Sequence, residues 1–460
     1  MTDATNRKRS RPRAPTTALD QSVAALAENE PDLCLRIAIP VLDDVGAGAP
    51  AIDIIGRAAV AIGAIGLARL AFETAARALA LQGLAAQAVA SAIAVQRLTS
   101  QGDLLAELAG VFGADADRNE SQDVSVLPPP LASERVIELT GLSRAELIAL
   151  AQKKIEALRA ALPAKLPVRA RLPLWGSLPR GAFERLAQAM EVRVFGRAHA
   201  VIREGERGGS LFVTARGEVR ITRRIDSVRA LGEDIDESMP DESEELAVLG
   251  AEAVFGEMAL LTDSPRAASV HTTRTSIVLE APAAALALAS EEIPTLGAEL
   301  LAFSRHRLLQ NLLRAATLLR EIPSADRAAL AGAFETRTFA AGEVLFEQGS
   351  EAAGLFLVAS GRVEVRRRED DDSDDLVVGS IEPGSCVGDI SLVLRRPTSA
   401  TVIAIEPTVA LVLAPEHFMA TMRQHPALLA SLYELAVTRE EELLQVTAQA
   451  AESADDLVMV

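Results

Sequence analysis

Positive charge is scarce in this chain. Its 46 Lys and Arg face 64 Asp and Glu, a formal net charge of −18 over 460 residues. A nucleic-acid reader must neutralise phosphates with a positive face, so this balance argues against nucleic acid as a partner. Cysteine is nearly absent. Cys34 and Cys386 stand far apart, which suits a reducing cytosol and excludes a disulfide framework. The predicted location is therefore cytoplasmic. The five histidines (His199, His271, His306, His417, His425) are scattered. No Ser/His/Asp set, metal-ligand cluster or nucleoside-triphosphate loop is present, so no enzyme, metal or cofactor is expected. The basic N-terminus has no apolar run behind it, so no secretory signal is read. The stretch Ala78 to Gln96 carries no charge but is mostly alanine, with Gln82, Gly83, Gln87 and Ser91 inside it. Arg77 and Arg97 bracket it without interfacial aromatics, so a soluble helix pair is expected rather than a membrane span.

What is present is enough apolar residue for globular cores, 49%, in a chain long enough for roughly three domains. Residues 1–18 read as a disordered basic tail, with Ser10 after Arg7-Lys8-Arg9 as a candidate phosphorylation site. Residues 19–112 are rich in alanine and leucine, the strongest helix formers. Turn signals at Asn29-Glu30-Pro31, Gly46 to Pro50, Gly83 and Gly102-Asp103 divide them into several helices. Gly83, Ala88 and Ala92 give a faint resemblance to a tetratricopeptide repeat, and a generic helical bundle is the alternative. Either would serve as an interaction domain for an unknown protein partner. Residues 113–165 read as a linker containing Pro128-Pro129-Pro130, then a connecting helix from about 133 to 162. Ser143 with Glu146 three residues later forms a capping-box signature in it.

From about residue 173 the sequence repeats itself. Phe195 matches Phe339, Glu204-Gly205 matches Gln348-Gly349, Leu211-Phe212 matches Leu355-Phe356 and Gly217 matches Gly361, each pair 144 residues apart. Later pairs, Gly256 with Gly388, Pro265 with Pro397 and Val270 with Val402, are 132 apart. The difference comes from a longer acidic loop between Arg224 and Glu245, expected as a solvated hairpin tip. Each copy opens with a short helix (Phe183 to Met190; Asp326 to Phe334) and closes with helices after an Ala-Pro pair (Ala281-Pro282; Ala414-Pro415). Short apolar runs between them read as strands. The expected architecture is α+β: an N-terminal all-α domain, then two small antiparallel barrels with flanking helices, at 166–310 and 311–440. An acidic tail, 441–460, follows.

Residues 255–270 read Phe-Gly-Glu-Met-Ala-Leu-Leu-Thr-Asp-Ser-Pro-Arg-Ala-Ala-Ser-Val. Gly256 lets the backbone come close to a ligand. Residues Glu257 to Leu261 would form one helical turn, whose amides suit an anion. Arg266 offers a fixed charge and forked donors. This run resembles the phosphate-binding cassette of cyclic-nucleotide-binding domains, as in kinase A regulatory subunits and the catabolite activator protein. The resemblance spans both copies, about 170 to 435. It implies a β-roll (jelly-roll-like) barrel and a ligand site at Phe255, Gly256, Glu257, Met258, Ala259, Arg266, Ala267, Ala268 and Ser269. It also implies that Glu257 accepts a hydrogen bond from the ribose 2′-hydroxyl. Ala267, where cGMP-selective members often carry Thr, points to cAMP over cGMP.

The second cassette departs from this pattern. Its matching residues are Gly388, Asp389, Ile390, Ser391, Thr398 and Ser399. Asp389 is one methylene shorter than Glu257, and Thr398 stands where Arg266 supplies charge. Losing a charge-assisted hydrogen bond costs about 1.5–3 kcal/mol, roughly ten- to hundredfold in affinity. A degenerate site is expected, with Arg395 and Arg396 off the family position. Phe303 and His306 are candidates to cover the base, against core packing for Phe303 and a solvated face for His306. Trp175 is expected to pack ahead of the first barrel.

The leading function is a cyclic-nucleotide sensor that signals to a partner through the helix from about Leu296 to Leu319. A scaffold in which neither barrel binds nucleotide is the alternative. A helix-turn-helix reader is not expected in the acidic stretch after Tyr433, and no Arg-Arg-x-Ser/Ala segment before the first barrel points to a kinase. Homo-oligomers are allowed.

Overall fold

The computed structural model describes residues 17–44, 48–99, 103–116, 138–224, 243–257, 265–315, 332–368, 375–424 and short helical pieces between 429 and 441. Six helices come first: α1 (Ala18–Ala27), α2 (Pro31–Val41), α3 (Gly48–Ala61), α4 (Ile65–Leu81), α5 (Ala85–Thr99) and α6 (Leu104–Phe112). Helix α1 starts inside the span read as tail, because Thr17 and Asp20 close a capping box. Gly63 and Gly83 adopt φ of 75° and 77° between helices, a conformation that costs glycine little. Alanine makes the helices pack closely. A Cβ at Gly56 would lie 2.8 Å from the Phe72 ring, and Ala51, Ala58, Ala68, Ala71 and Ala75 are fully buried.

Pro40, near the end of α2, has no N–H to give the Arg36 carbonyl. That carbonyl instead accepts from the Leu139 amide at 3.2 Å. The Arg36 guanidinium in turn donates to the Leu139 and Leu142 carbonyls. These bonds hold 138–143 out of helical conformation. The connecting helix therefore begins later than the sequence predicts, at α7 (Arg144–Ala160), with the Ser143–Glu146 capping box formed. Residues 117–137, which carry most of the predicted linker, lie outside the described residues. Leu147, Ala151 and Ile155, four apart, are the buried stripe of α7. Trp175 sits in a 3-10 turn (Trp175–Ser177), buried 5.0 Å from the Phe183 ring of α8 (Arg180–Gln188).

Among the described residues the first copy has eight strands: β1 (Glu191–Phe195), β2 (Ala200–Ile202), β3 (Leu211–Arg216), β4 (Val219–Arg224), β5 (Ser243–Leu249), β6 (Val254–Phe255), β7 (Ser269–Thr272) and β8 (Ser276–Ala281). They form two four-stranded sheets, ordered β1-β8-β3-β6 and β2-β7-β4-β5, in which β1 with β8, β2 with β7, β3 with β6, and β4 with β5 and β7 pair antiparallel. Ile202, Phe212, Val219, Phe255, Val270 and Val278 fill the space between, with Phe212 and Phe255 stacked at 5.2 Å. This is a jelly-roll-like sandwich of two sheets. The tip of the β4–β5 hairpin, 225–242, lies outside the described residues. Helices α9 (Ala283–Glu292) and α10 (Pro294–Ala315) follow. The predicted end of that last helix, 316–319, is outside the described residues.

The second copy repeats the plan: β9 (Phe334–Phe339), β10 (Val344–Phe346), β11 (Leu355–Ser360), β12 (Val363–Arg367), β13 (Leu376–Ile381), β14 (Cys386–Val387), β15 (Thr401–Ala404) and β16 (Thr408–Leu413). Its sheets are β14-β11-β16-β9 and β10-β15-β12-β13. Helix α11 (Asp389–Leu394) interrupts it and α12 (Pro415–Gln424) closes it. The short helix read at Asp326 to Phe334 is corrected at its end, because Phe334 opens β9, where its backbone pairs with Leu413. Residues 326–331 lie outside the described residues.

The duplication extends to single hydrogen bonds. Gly205 N donates to Arg266 O at 2.8 Å, and Gly349 N to Thr398 O at 2.8 Å. Arg266 N donates to Glu206 O at 2.9 Å, and Thr398 N to Ser350 O at 2.9 Å. Gly217 (φ 102°) packs its α-carbon on Ser276, and Gly361 (φ 79°) packs on Thr408.

The described chain falls into two compact units. One contains α1–α9 and most of the first sandwich, in residues up to 203, 212–255 and 268–297. The other contains 204–211, 256–267 and everything from 298 onward, so it holds the first cassette as well as the second copy.

Candidate functional site

The first cassette begins where β6 ends. Gly256 takes φ of 79°, which turns the chain sharply and places Glu257 at the start of a helical turn. Glu257 is buried, at 5% exposure, an expensive position for a carboxylate without a cation. Its cation is Arg307 of α10, whose Nε donates to Glu257 Oε1 at 3.1 Å. Arg307 also lies 5.9 Å from the ring of Phe303, one turn back on the same helix. Phe303 is buried at 7% while His306 is exposed. Those positions match core packing for the first and a solvated face for the second.

Arg266 lies at the other end of the cassette. Its Nη1 donates to the Gly256 carbonyl at 3.0 Å and its Nη2 to the Ser210 carbonyl at 2.9 Å. Its backbone is pinned to Gly205 and Glu206 by the two ladder bonds given above. A Cβ on Gly208 would come within 3.7 Å of Nη2, so the 204–211 loop lies against the guanidinium. The result is a forked cation held in place from the cassette's start and from the preceding loop. That is pre-organisation suited to an anion with two adjacent oxygens. Of the other residues read as ligand contacts, Phe255 is buried, Ala267 is exposed, and Ala268 and Ser269 are half-buried. Met258 and Ala259 lie outside the described residues, as does the rest of the predicted turn to Leu261.

The second cassette is described in full. Gly388 has φ of 87°, and a Cβ there would sit 2.4 Å from the Gly354 carbonyl. Asp389 opens α11 at 5% exposure, and Ser391 is also buried. Ile390 and Ser399 are half-buried. Thr398 is 4% exposed and its hydroxyl is used within the loop: it donates to the Glu347 carbonyl and accepts from Ser350 N at 3.1 Å. Where Arg266 carries charge, this copy has an internal hydrogen-bond hub. Arg396 is ion-paired to Glu440 at 3.2 Å, and neither Arg395 nor Arg396 lines the adjoining cavity. That cavity, about 390 Å³, is bordered by β10, β12, β13, β14 and the cassette.

Comparison with known proteins decides what these cassettes are. The cyclic nucleotide-binding domain model matches residues 192–289 and again 336–425. The chain carries two cyclic nucleotide-binding domains. It is 26% identical over 236 residues to a cAMP-dependent protein kinase type II regulatory subunit of Drosophila melanogaster, covering 50% of this chain and 54% of the relative. It is 32% identical over 166 residues to a cAMP-dependent protein kinase regulatory subunit of Dictyostelium discoideum, covering 36% and 48%. The chain thus spans about half the length of the curated relatives it matches. Among solved structures, the regulatory domain of Toxoplasma gondii PKA with cAMP aligns at 22% identity and a TM-score of 0.28, covering 59% of this chain and 92% of that one.

Sequence reasoning missed three contributors to the cyclic nucleotide-binding cassettes. Arg307 lies in the helix read from about Leu296 to Leu319, but nothing in the sequence there marks it as the partner of Glu257. Ser210 acts through its carbonyl, which any residue would supply. The walls of the second cavity, Phe346, Val365 and Ile381 among them, come from strands, and no motif in the sequence marks them as a pocket lining. No metal-binding cluster occurs among the described residues, and none of their helices is long and apolar enough to cross a membrane.

Proposed function

We propose that the first domain binds a cyclic nucleotide, cAMP in preference to cGMP, and that the chain is a regulatory protein rather than an enzyme. One observation carries the proposal: Arg266 is held as a forked cation at one end of a cassette whose other end presents the buried carboxylate of Glu257. Arg266 would take the cyclic phosphate through charge-assisted bonds, and Glu257 would accept the ribose 2′-hydroxyl. Ala267 lacks the hydroxyl that would favour a guanine. The names of the two curated relatives, both cAMP-dependent kinase regulatory subunits, support the ligand and the regulatory role. The second domain, with Thr398 in place of the arginine, would not hold the phosphate.

The Arg307–Glu257 ion pair suggests how binding is transmitted. A ligand shifts a conformational equilibrium only through contacts that differ between states. A hydroxyl arriving at Glu257 changes the environment of a carboxylate already tied to α10, and so changes that helix. The output would pass to a protein partner of the helical segment 18–112. Hydrogen exchange tests this directly. Saturating cAMP should alter amide protection along 298–315, and Arg307→Gln should reduce that change while binding persists. Unchanged protection in the wild-type chain at saturation would remove the transmission step.

A further inference from the structure

Side chains at three turns and strand ends of the first domain hold the helical segment, within one compact unit. Arg216, at the end of β3, and Arg274, between β7 and β8, both donate to the Asp20 carboxylate of α1. Glu252, between β5 and β6, accepts from the Ala86 amide at 2.9 and 3.0 Å through its two oxygens. The Gln87 amide donates to it as well, so Glu252 caps the start of α5. In the second domain the matching positions are Ser360, Glu406 and Gly384. None could repeat these contacts, because Ser360 and Gly384 carry no charge and Glu406 would repel an acid. The turn itself is nevertheless the same. Glu252 N donates to Thr214 O at 2.8 Å, and Gly384 N to Val358 O at 2.8 Å. Both residues are left-handed, with φ of 65° at Glu252 and 93° at Gly384. Glycine takes that conformation freely and glutamate does not. The turn alone asks for glycine, so it is the grip on α5 that accounts for a glutamate at 252.

That grip is strained. Gln87 and Thr214, whose backbones both bond Glu252, are buried. Gln87 Nε2 and Thr214 Oγ1 have no hydrogen-bond partner among the described residues. A left-handed glutamate beside two unsatisfied buried groups is a place where the fold stores energy. It also lies close to the cassette along the chain, because Glu252 leads through β6 straight into Gly256 and Glu257. We infer that Glu252, with Asp20 and its two arginines, forms a clamp through which the helical segment reads the ligand state of the first domain, and that ligand at the cassette loosens it. Movement of Gly256 and Glu257 onto a ligand pulls on β6, and the strained turn at its start is the element that gains by relaxing. A ligand that favours the released state is in turn bound more tightly when the clamp is absent. This rests on the reading above that the first domain binds cAMP.

The test is hydrogen exchange on the full wild-type chain with and without saturating cAMP, beside titration calorimetry. Peptides covering the Ala86 and Gln87 amides should exchange about fivefold faster or more when cAMP is bound. Glu252→Gly installs the residue that the second domain carries in the same turn. It should exchange fast at those amides without ligand and lose most of the cAMP-dependent change. It should also bind cAMP about fivefold more tightly or better, a shift that a helix cap with a merely structural role would not produce. Should Glu252→Gly fail to fold, the wild-type comparison decides by itself. Wild-type chain that takes cAMP with unchanged or slower exchange at Ala86 and Gln87 overturns this inference alone. Unchanged cAMP affinity in a folded Glu252→Gly chain does the same. No cAMP binding to the wild-type chain overturns both this inference and the reading beneath it.

Discussion

Asp20 ties the first helix to the first domain, and its removal is the perturbation whose size can be worked from contacts. Its carboxylate is 7% exposed. It accepts from Arg216 Nη2 at 2.9 Å, from Arg274, and from Thr17 N at 3.2 Å. Gross Coulomb attraction at 2.9 Å is about 6 kcal/mol at an effective dielectric near 20. Desolvation cancels much of that, so the observable is the cost of stranding Arg216, whose side chain is only 15% exposed. Leaving one buried partner unpaired costs about 3–5 kcal/mol. Arg274, at 36% exposure, adds under about 1 kcal/mol. The lost capping box adds about 1 kcal/mol. Asp20→Ala should therefore destabilise the first unit by about 4–7 kcal/mol, read as a lowered denaturation midpoint in urea at constant slope. Pairing Asp20→Leu with Arg216→Met should recover much of the loss, because an apolar pair strands no charge. A loss under about 1 kcal/mol for Asp20→Ala would refute the argument.

The same carboxyl gives a pH prediction. Burial would raise its pKa, but Arg216, Arg274 and the Thr17 hydrogen bonds outweigh burial and hold it below the ordinary 3.8. Its contribution is therefore complete above about 3.8 and is lost as pH falls through the lower folded value. The acid limb of the wild-type stability curve should flatten in Asp20→Asn. Glu252 behaves oppositely. It sits at φ 65° and accepts from Ala86 N at the start of α5 at 2.9 and 3.0 Å. Burial pushes its carboxyl up to about 8 against those amides. The folded chain then holds a proton that the unfolded chain releases near 4.5, so stability falls as pH rises from about 4.5 to about 8. Glu252→Gln should remove that slope in thermal melts. Gly217→Ala and Gly361→Ala should each cost about 2–4 kcal/mol, combining left-handed strain with overpacking. Their added Cβ would meet Ser276 Oγ at 2.2 Å and the Pro407 carbonyl at 2.5 Å. Chemical denaturation of the two variants would check this, and an alanine tolerated at either position would contradict the duplicated contact.

Local features were legible in the sequence wherever a single residue dictates the backbone. Gly83 breaks the long alanine run, Ser143 starts α7, and the matched pairs of the duplication fall on equivalent strands and turns. The spacing of Gly256 and Arg266 placed both ends of the first cassette. Long-range polar pairs were not legible. Asp20 meets Arg274 across more than half the chain, and Glu252 caps a helix that begins at Ala85. Neither acid stands in a pattern that names its partner. Pro40 shows the intermediate case. Its missing N–H can be read from sequence, but that the orphaned Arg36 carbonyl would take Leu139, and so delay α7, depends on the fold. The exchange of Arg266 for Thr398 was visible as a lost charge. That the threonine would become a hydrogen-bond hub beside a cavity was visible only in three dimensions.

The most direct test of the central claim is the stoichiometry of cAMP binding to the wild-type chain by titration calorimetry, beside Arg266→Ala. The account predicts one cAMP per chain, bound more tightly than cGMP and weakened at least tenfold by the substitution. Two cAMP per chain, or unchanged binding in Arg266→Ala, would contradict it.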